Sequence, residues 1–340
     1  MKTIDVENHF ATEMWVEALR SNHGYPRLAT DPESGKTRIY HGPDSSEPYG
    51  VIPRLLDLGA GRLGTMDAAG VDVAALSLSA PGVEHLDPVE GTRVARDAND
   101  VLAVAVDAHP DRFMGFATLA PKDIDSAVAE LERTVKELSF KGWNTHSNFG
   151  DSYLDERRYW PLLAKAEELG VPIYLHPTVP RIREFWDYDL TLAGPTFGFG
   201  AEAAFGMLRL VVSGALDAFP HLTIIMGHYG EGLPFLLERV DRRYRRGRAA
   251  PDVTAAPKTK HAPSHYLKNN LLVTTSGNYL PQALTCAKDA LGMSRIMLGT
   301  DHPYESMGEC MAFLAAQSLS QTERAQLYEE NAVRFGFTAQ

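Results

Sequence analysis

The chain has only two cysteines, Cys286 and Cys310, among 340 residues. That excludes a disulfide framework and points to a reducing compartment. No apolar run is long enough to cross a bilayer, and the N-terminus lacks a basic segment followed by a long apolar core. The expectation is a cytoplasmic protein with no membrane partner. Basic residues are in deficit: 33 Lys and Arg against 44 Asp and Glu give a formal charge of -11. Neither nucleic acid nor an anionic membrane is therefore expected as a partner. A glycine-rich phosphate turn is missing after the first strand-like run. Gly59 to Gly64 (GAGRLG) has the spacing but lies inside a helical pattern. No pyridoxal or thiamine motif is present, so no organic cofactor is expected.

What is present is an alternation of short apolar runs and amphipathic stretches, in a chain that is 44% hydrophobic. Strands are expected at Thr3 to Val6, Val71 to Ser79, Arg112 to Leu119, Phe140 to Thr145, Val171 to Leu175, Leu222 to Met226, Leu271 to Thr275 and Arg295 to Thr300. Several are apolar throughout, as strands covered on both faces are. Helices are expected at Glu13 to Arg20, Arg54 to Ala69, Pro88 to His109, Asp123 to Leu138, Asp155 to Leu169 with Asp155 as N-cap, Glu202 to Phe219, Glu231 to Arg246 and Pro281 to Leu291. Eight strand–helix repeats predict a single α/β domain over residues 1–340, a (β/α)8 TIM-type barrel rather than an open doubly wound sheet. Residues 11–53 and 177–200 read as long loop insertions after strands 1 and 5. The first is expected to be loop with one helix, the second is rich in aromatics, and helices close the chain over 308–340.

Barrel enzymes carry their chemistry at the C-terminal ends of the strands. Glu7 and His9 follow the first strand two residues apart, the spacing that puts side chains on one side of a strand. His176 ends the fifth strand, His228 the sixth and Asp301 the eighth. One histidine of 12 at a strand end carries little weight. Three, with carboxylates at the first and eighth ends, predict one shared divalent-metal site. Carboxylates with imidazoles suit Zn2+ or Mn2+ and do not choose between them. Arg242, Arg243, Arg245, Arg246 and Arg248 form a basic run at a helix end, read as solvated or subunit-facing surface.

The motifs Glu7-Asn8-His9-Phe10, RLLDLG (Arg54 to Gly59), Asp111-Arg112-Phe113 and Leu175-His176-Pro177 continue through FGFGAE (Phe197 to Glu202), GHYGEGLPF (Gly227 to Phe235) and TDHPYE (Thr300 to Glu305). Over nearly its whole length the chain resembles the amidohydrolase superfamily, in the branch of metal-dependent, non-oxidative aromatic acid decarboxylases. The resemblance implies that Glu7, His176 and Asp301 bind the metal. His9 matches a ligand kept in some members and replaced in others. His228 and Glu231 match a catalytic His–Glu pair, though Glu231 also reads as a favourable charge in a helix's first turn. Glu7 stands where most superfamily hydrolases have the first His of His-x-His, which favours a decarboxylase over a lactone or amide hydrolase.

The implied reaction is reversible decarboxylation of an ortho-hydroxy aromatic carboxylic acid, with a proton added to the ring carbon before CO2 leaves. Asp301 is the expected donor, by position and by resemblance. Arg54 and Arg239 lie in family-like motifs and are candidate substrate-binding residues, or else structural ion-pair partners. Phe10 and Tyr304 flank proposed ligands and are candidate ring contacts. The expected partners are a small aromatic acid and further copies of the chain, as a homodimer or homotetramer.

Overall fold

The structure is a computed structural model and describes residues 1–42, 45–249 and 259–339. Residues 250–258 lie outside the described residues, as does the side chain of Arg248. Eight parallel strands run in sequence order around a barrel: β1 (Ile4–Phe10), β2 (Val73–Leu78), β3 (Phe113–Thr118), β4 (Gly142–His146), β5 (Ile173–His176), β6 (Ile224–Met226), β7 (Leu271–Thr274) and β8 (Ile296–Met297). Bonds from Val6 N to Leu298 O and from His9 N to His302 O close β1 against the chain leaving β8. This is the expected (β/α)8 architecture. Among the described residues, no helix is long and apolar enough to cross a membrane.

All eight strands are buried along their whole length. Alternate residues fill two separate spaces. Ile4, Val6, Val73, Ala75, Met114, Phe116, Tyr174, Ile225, Leu272 and Met297 pack together inside the barrel, where Phe337 joins them. The other side chains meet the surrounding helices in a larger outer core. Each buried Leu, Ile, Val or Phe in these layers contributes about 1.5–3 kcal/mol. The barrel interior is thus packed with apolar side chains.

Four local expectations need correction. Residues 11–53 are not mainly loop. After the helix Glu13–Ser21, strands Arg27–Thr30, Thr37–Gly42 and Ser45–Pro48 form an antiparallel sheet. These strands bury few large apolar side chains, chiefly Leu28 and Ile39, so their period is faint in the sequence. The helix expected from Arg54 to Ala69 is split into Ile52–Leu56 and Ala60–Ala69, because Asp57 turns the chain by accepting from Gly59 N at 2.9 Å. Asp155 does not cap its helix, which begins at Trp160; its carboxylate instead takes Arg209 Nε at 2.7 Å. Glu231 lies outside the following helix, Leu233–Ala249, in the turn before it.

Candidate metal centre

β1 carries an extra residue between Asp5 and Asn8 relative to β2, a β-bulge. Val6 belongs to the layer inside the barrel, so strict alternation would turn Glu7 outward. The bulge re-aims it, as bulges beside active sites do. Glu7 and His9 then face the same rim as His176, which ends β5, and Asp301, which follows β8. One ligand atom from each of the four lies within 4.8 Å of every other.

The outer edges of these side chains are held. Thr274 Oγ1 donates to Glu7 Oε2 at 2.5 Å. His9 Nδ1 bonds Ser77 Oγ at 3.1 Å, and His176 Nδ1 lies 2.9 Å from Pro177 O, which accepts its proton. Fixing the proton on Nδ1 leaves the Nε2 lone pair pointing inward. The inner atoms, Glu7 Oε1, His9 Nε2, His176 Nε2 and Asp301 Oδ1, are all buried without a hydrogen-bond partner. Buried polar atoms are nearly always paired. Four orphans on one point, two carboxylate oxygens and two imidazole nitrogens, fit a divalent cation of the Zn2+ or Mn2+ type.

His228 stands beside this group. Its Nε2 lies 3.7 Å from Asp301 Oδ2 and 4.0 Å from Glu7 Oε1, while Nδ1 lies 2.6 Å from Glu231 Oε1. Burial lowers the His228 pKa, but Glu231, Asp301 and Glu7 together hold it well above the usual imidazole value. Burial raises Asp301, yet the adjacent His228 and His9 rings leave it well below the carboxylate range. Burial raises Glu7, with the Asp301 charge adding and His228 opposing. Burial and the neighbouring His9 push His176 far down, so it is neutral, the form that binds a metal.

The backbone is unusual here. His228, Tyr229, Gly230, Glu231 and Gly232 have φ of 51°, 56°, 77°, 54° and 77°, a complete left-handed turn, and Asp301 has φ 58°. Each non-glycine residue held so costs about 1–3 kcal/mol and clusters at functional sites. The turn is what lets Glu231 reach back to His228. Gly299 lies where a Cβ would meet Thr274 Cβ at 2.6 Å and Glu7 Oε2 at 2.7 Å.

Above the group opens a pocket of about 510 Å3. His176, His228, Glu231, Asp301 and Tyr304 line it. The Tyr304 ring lies edge-on to His9 at 5.8 Å, and its hydroxyl meets Ser79 Oγ and, at 2.6 Å, Tyr49 Oη. Three other candidates are not on its wall. Phe10 is fully buried in the outer core behind β1. Arg54 is exposed on its short helix, where its backbone N–H donates to Val51 O at 2.9 Å and its carbonyl accepts from Arg62 Nη2 at 3.2 Å. Arg239 lies on the exposed side of the helix Leu233–Ala249. As ring or carboxylate contacts within this chain, these three are corrected.

The buried cation is Arg62, which the sequence reading passed over. It donates to Asn8 Oδ1 at 2.9 Å and to His9 O at 2.7 Å, and so braces the strand that carries two of the converging side chains. Ser77, Thr274, His41 and Tyr49 were missed too. A hydroxyl inside an otherwise apolar strand, as in VAALSL or LLVT, is the signal that would have marked the first two.

Comparison with known proteins agrees with this geometry. The chain is 39% identical over 290 residues to a gamma-resorcylate decarboxylase of Rhizobium radiobacter, covering 83% of this chain and 88% of the relative. It superposes with a TM-score of 0.84 on the crystal structure of a 2,6-dihydroxybenzoate decarboxylase in complex with 2,6-dihydroxybenzoate, at 34% identity and 98% coverage of both chains. The TM-score is 0.89, at 31% identity and 99% and 96% coverage, for the 5-carboxyvanillate decarboxylase of Novosphingobium aromaticivorans in complex with manganese and 4-hydroxy-3-methoxy-5-nitrobenzoic acid. The amidohydrolase family model matches residues 4–335. From its first barrel strand to its last helix, the chain belongs to the amidohydrolase family.

Proposed function

We propose that this chain is a divalent-metal-dependent, non-oxidative decarboxylase of an ortho-hydroxy aromatic carboxylic acid. The observation that carries this reading is the convergence of four unpartnered buried ligand atoms from Glu7, His9, His176 and Asp301 on the floor of an aromatic-sized pocket. The relatives are decarboxylases of hydroxylated benzoates, which favours this reading over a hydrolase. Manganese in the complex of a structural neighbour supports Mn2+ over Zn2+.

Glu7, His9, His176 and Asp301 would hold the dication, which would supply a Lewis acid that lowers the pKa of a phenolic oxygen. The protein's own groups do the rest. Asp301 is ionised at rest and takes up the proton that the phenol releases. Its carboxyl then gives that proton to the ring carbon bearing the carboxylate. The C–C bond to the carboxylate breaks, CO2 leaves, and the bonding pair returns to the ring and restores aromaticity. His228, protonated and held by Glu231, hydrogen-bonds the phenolic oxygen and offsets its charge. The reverse reaction, carboxylation at high bicarbonate, follows from microscopic reversibility. The scarcity of cysteine supports a cytoplasmic enzyme, and the family resemblance a homodimer or homotetramer.

The test is metal analysis of purified protein, followed by an ultraviolet screen of hydroxybenzoates with the Mn2+-loaded enzyme. Turnover of an ortho-hydroxy acid with release of CO2 is expected. Hydrolysis of lactones without loss of any hydroxybenzoate would overturn the reading.

A further inference from the structure

One wall of the pocket comes from the small antiparallel sheet, through Ile39, His41, Glu47 and Tyr49. His41 plays no part in the converging metal group. Its side chain is only 5% exposed. Nε2 lies 3.4 Å from Glu47 Oε1, and the ring leans on Trp186 with centroids 6.3 Å apart. Nδ1 is buried with no hydrogen-bond partner. A buried nitrogen without a partner is rare because its desolvation is uncompensated. Here it belongs to a side chain that lines the substrate pocket.

The Glu47 contact decides what that nitrogen takes. A carboxylate accepts only, so the neutral ring keeps its proton on Nε2 and donates it to Glu47. Nδ1 is then a bare acceptor. A phenolic hydroxyl matches it. A methyl ether has no proton to give, and a second carboxylate would meet both a lone pair and the Glu47 charge.

We propose that His41 is a specificity-determining residue whose Nδ1 accepts a hydrogen bond from a second ring hydroxyl, remote from the carboxylate. This inference rests on the decarboxylase reading and narrows its substrate class. A ring held at the metal group by its carboxylate and ortho oxygen carries its other substituents into the rest of the pocket, where the sheet wall meets them. Acids with a hydroxyl at ring positions 3, 4 or 5 are the preferred substrates, and their methyl ethers are discriminated against.

The experiment measures kcat/KM, at a pH above the imidazole range, for 2-hydroxybenzoate, for its 3-, 4- and 5-hydroxy derivatives and for the methyl ether of each. Wild type prefers one hydroxylated acid over its ether by about tenfold, the effect of one net hydrogen bond. His41→Phe brings that ratio to within about twofold. His41→Gln, whose Oε1 accepts, restores part of the preference. A ratio unchanged in His41→Phe, or an equal loss on every acid, overturns the proposal. Calorimetry with nitro analogues, in which a nitro group replaces the carboxylate, reads the same ratio without turnover. If wild type decarboxylates none of the acids, the functional reading fails. A hydroxyl-over-ether binding ratio that vanishes in His41→Phe still supports the subsite. Equal binding of the two analogues, or no binding of either, overturns it.

Discussion

His9 Nε2 lies 3.0 Å from Asp301 Oδ1, and neither atom is aligned for a hydrogen bond with the other or with anything else. The two residues belong to opposite ends of the chain and meet because β1 closes the barrel beside β8. Two strongly polar atoms this close, buried and misaligned, describe a coordination gap rather than a salt bridge. A cation set between them satisfies both at once.

Removal of that cation has a thermodynamic signature. An ion bound at a hundredfold excess over its dissociation constant stabilises the fold by about 2.7 kcal/mol. For a domain of this size that corresponds to roughly 3–5 °C in the thermal midpoint. Chelation is expected to abolish turnover and lower the midpoint by this amount, and Mn2+ to restore both. An unshifted midpoint with full activity after chelation would remove the metal from the mechanism.

Asp301→Asn separates the two tasks given to Asp301. The amide keeps an oxygen donor but has no transferable carboxyl proton. Metal content is expected to stay near one per chain, while kcat falls by about a hundredfold or more, the usual weight of general acid catalysis. Full activity would free Asp301 of the proton transfer and leave it a ligand alone.

The barrel was legible because its signal is repeated. Eight apolar runs, each followed by a helical period, leave little freedom of topology. The converging group was legible for a related reason: strand ends in a barrel share one rim, so Glu7, His9, His176 and Asp301 needed no distance information to be grouped. What was hidden depends on single contacts. The sheet over Arg27–Pro48 buries too few apolar residues to show its period. Arg54 and Arg239 carry the charge an anionic substrate invites, yet their helices turn them to solvent. Arg62, inside an unremarkable helix, is the cation the fold buries against β1. The left-handed turn at His228–Gly232 has only its glycines to announce it.

Glu231→Gln tests the support of His228. The 2.6 Å contact fixes the ring and favours its charged form. The amide keeps the shape and loses the charge. Turnover is expected to fall roughly 10–100-fold with metal content intact. The pH at which activity declines on the alkaline side is expected to move down, since a histidine losing an anionic partner gives up its proton more readily. An unchanged pH profile would count against the pair.

Gly299→Ala tests the packing beneath the metal group. The new Cβ would enter the space of Thr274 Cβ and Glu7 Oε2, displacing the carboxylate and the hydroxyl that steadies it. The metal dissociation constant is expected to rise about tenfold or more, read by competition with a chromogenic chelator. Gly64→Ala, where a Cβ meets nothing within 4 Å, is the control: unchanged metal affinity and a gain near 1 kcal/mol from helix propensity.

His85 gives a pH dependence that runs through stability. Burial pushes its pKa down from 6.5 to about 4, with nearby Glu84 opposing and His146, Lys122 and His41 adding to the fall. Its Nε2 is buried with no partner. Below pH 6.5 the unfolded chain takes up a proton at this residue that the folded chain refuses until about pH 4. Stability present above the unfolded value is therefore lost as pH falls through that window. Between pH 6.5 and pH 5 the loss is about 2 kcal/mol. His302, also pushed down to about 4 by burial, adds a loss of the same sign. Urea unfolding at the two pH values is expected to show stability changing with acid by about 2 kcal/mol less favourably in wild type than in His85→Gln, because Asp5, His176 and His302 titrate alike in both proteins and cancel in the comparison. An identical change in the two proteins would mean that His85 titrates alike folded and unfolded.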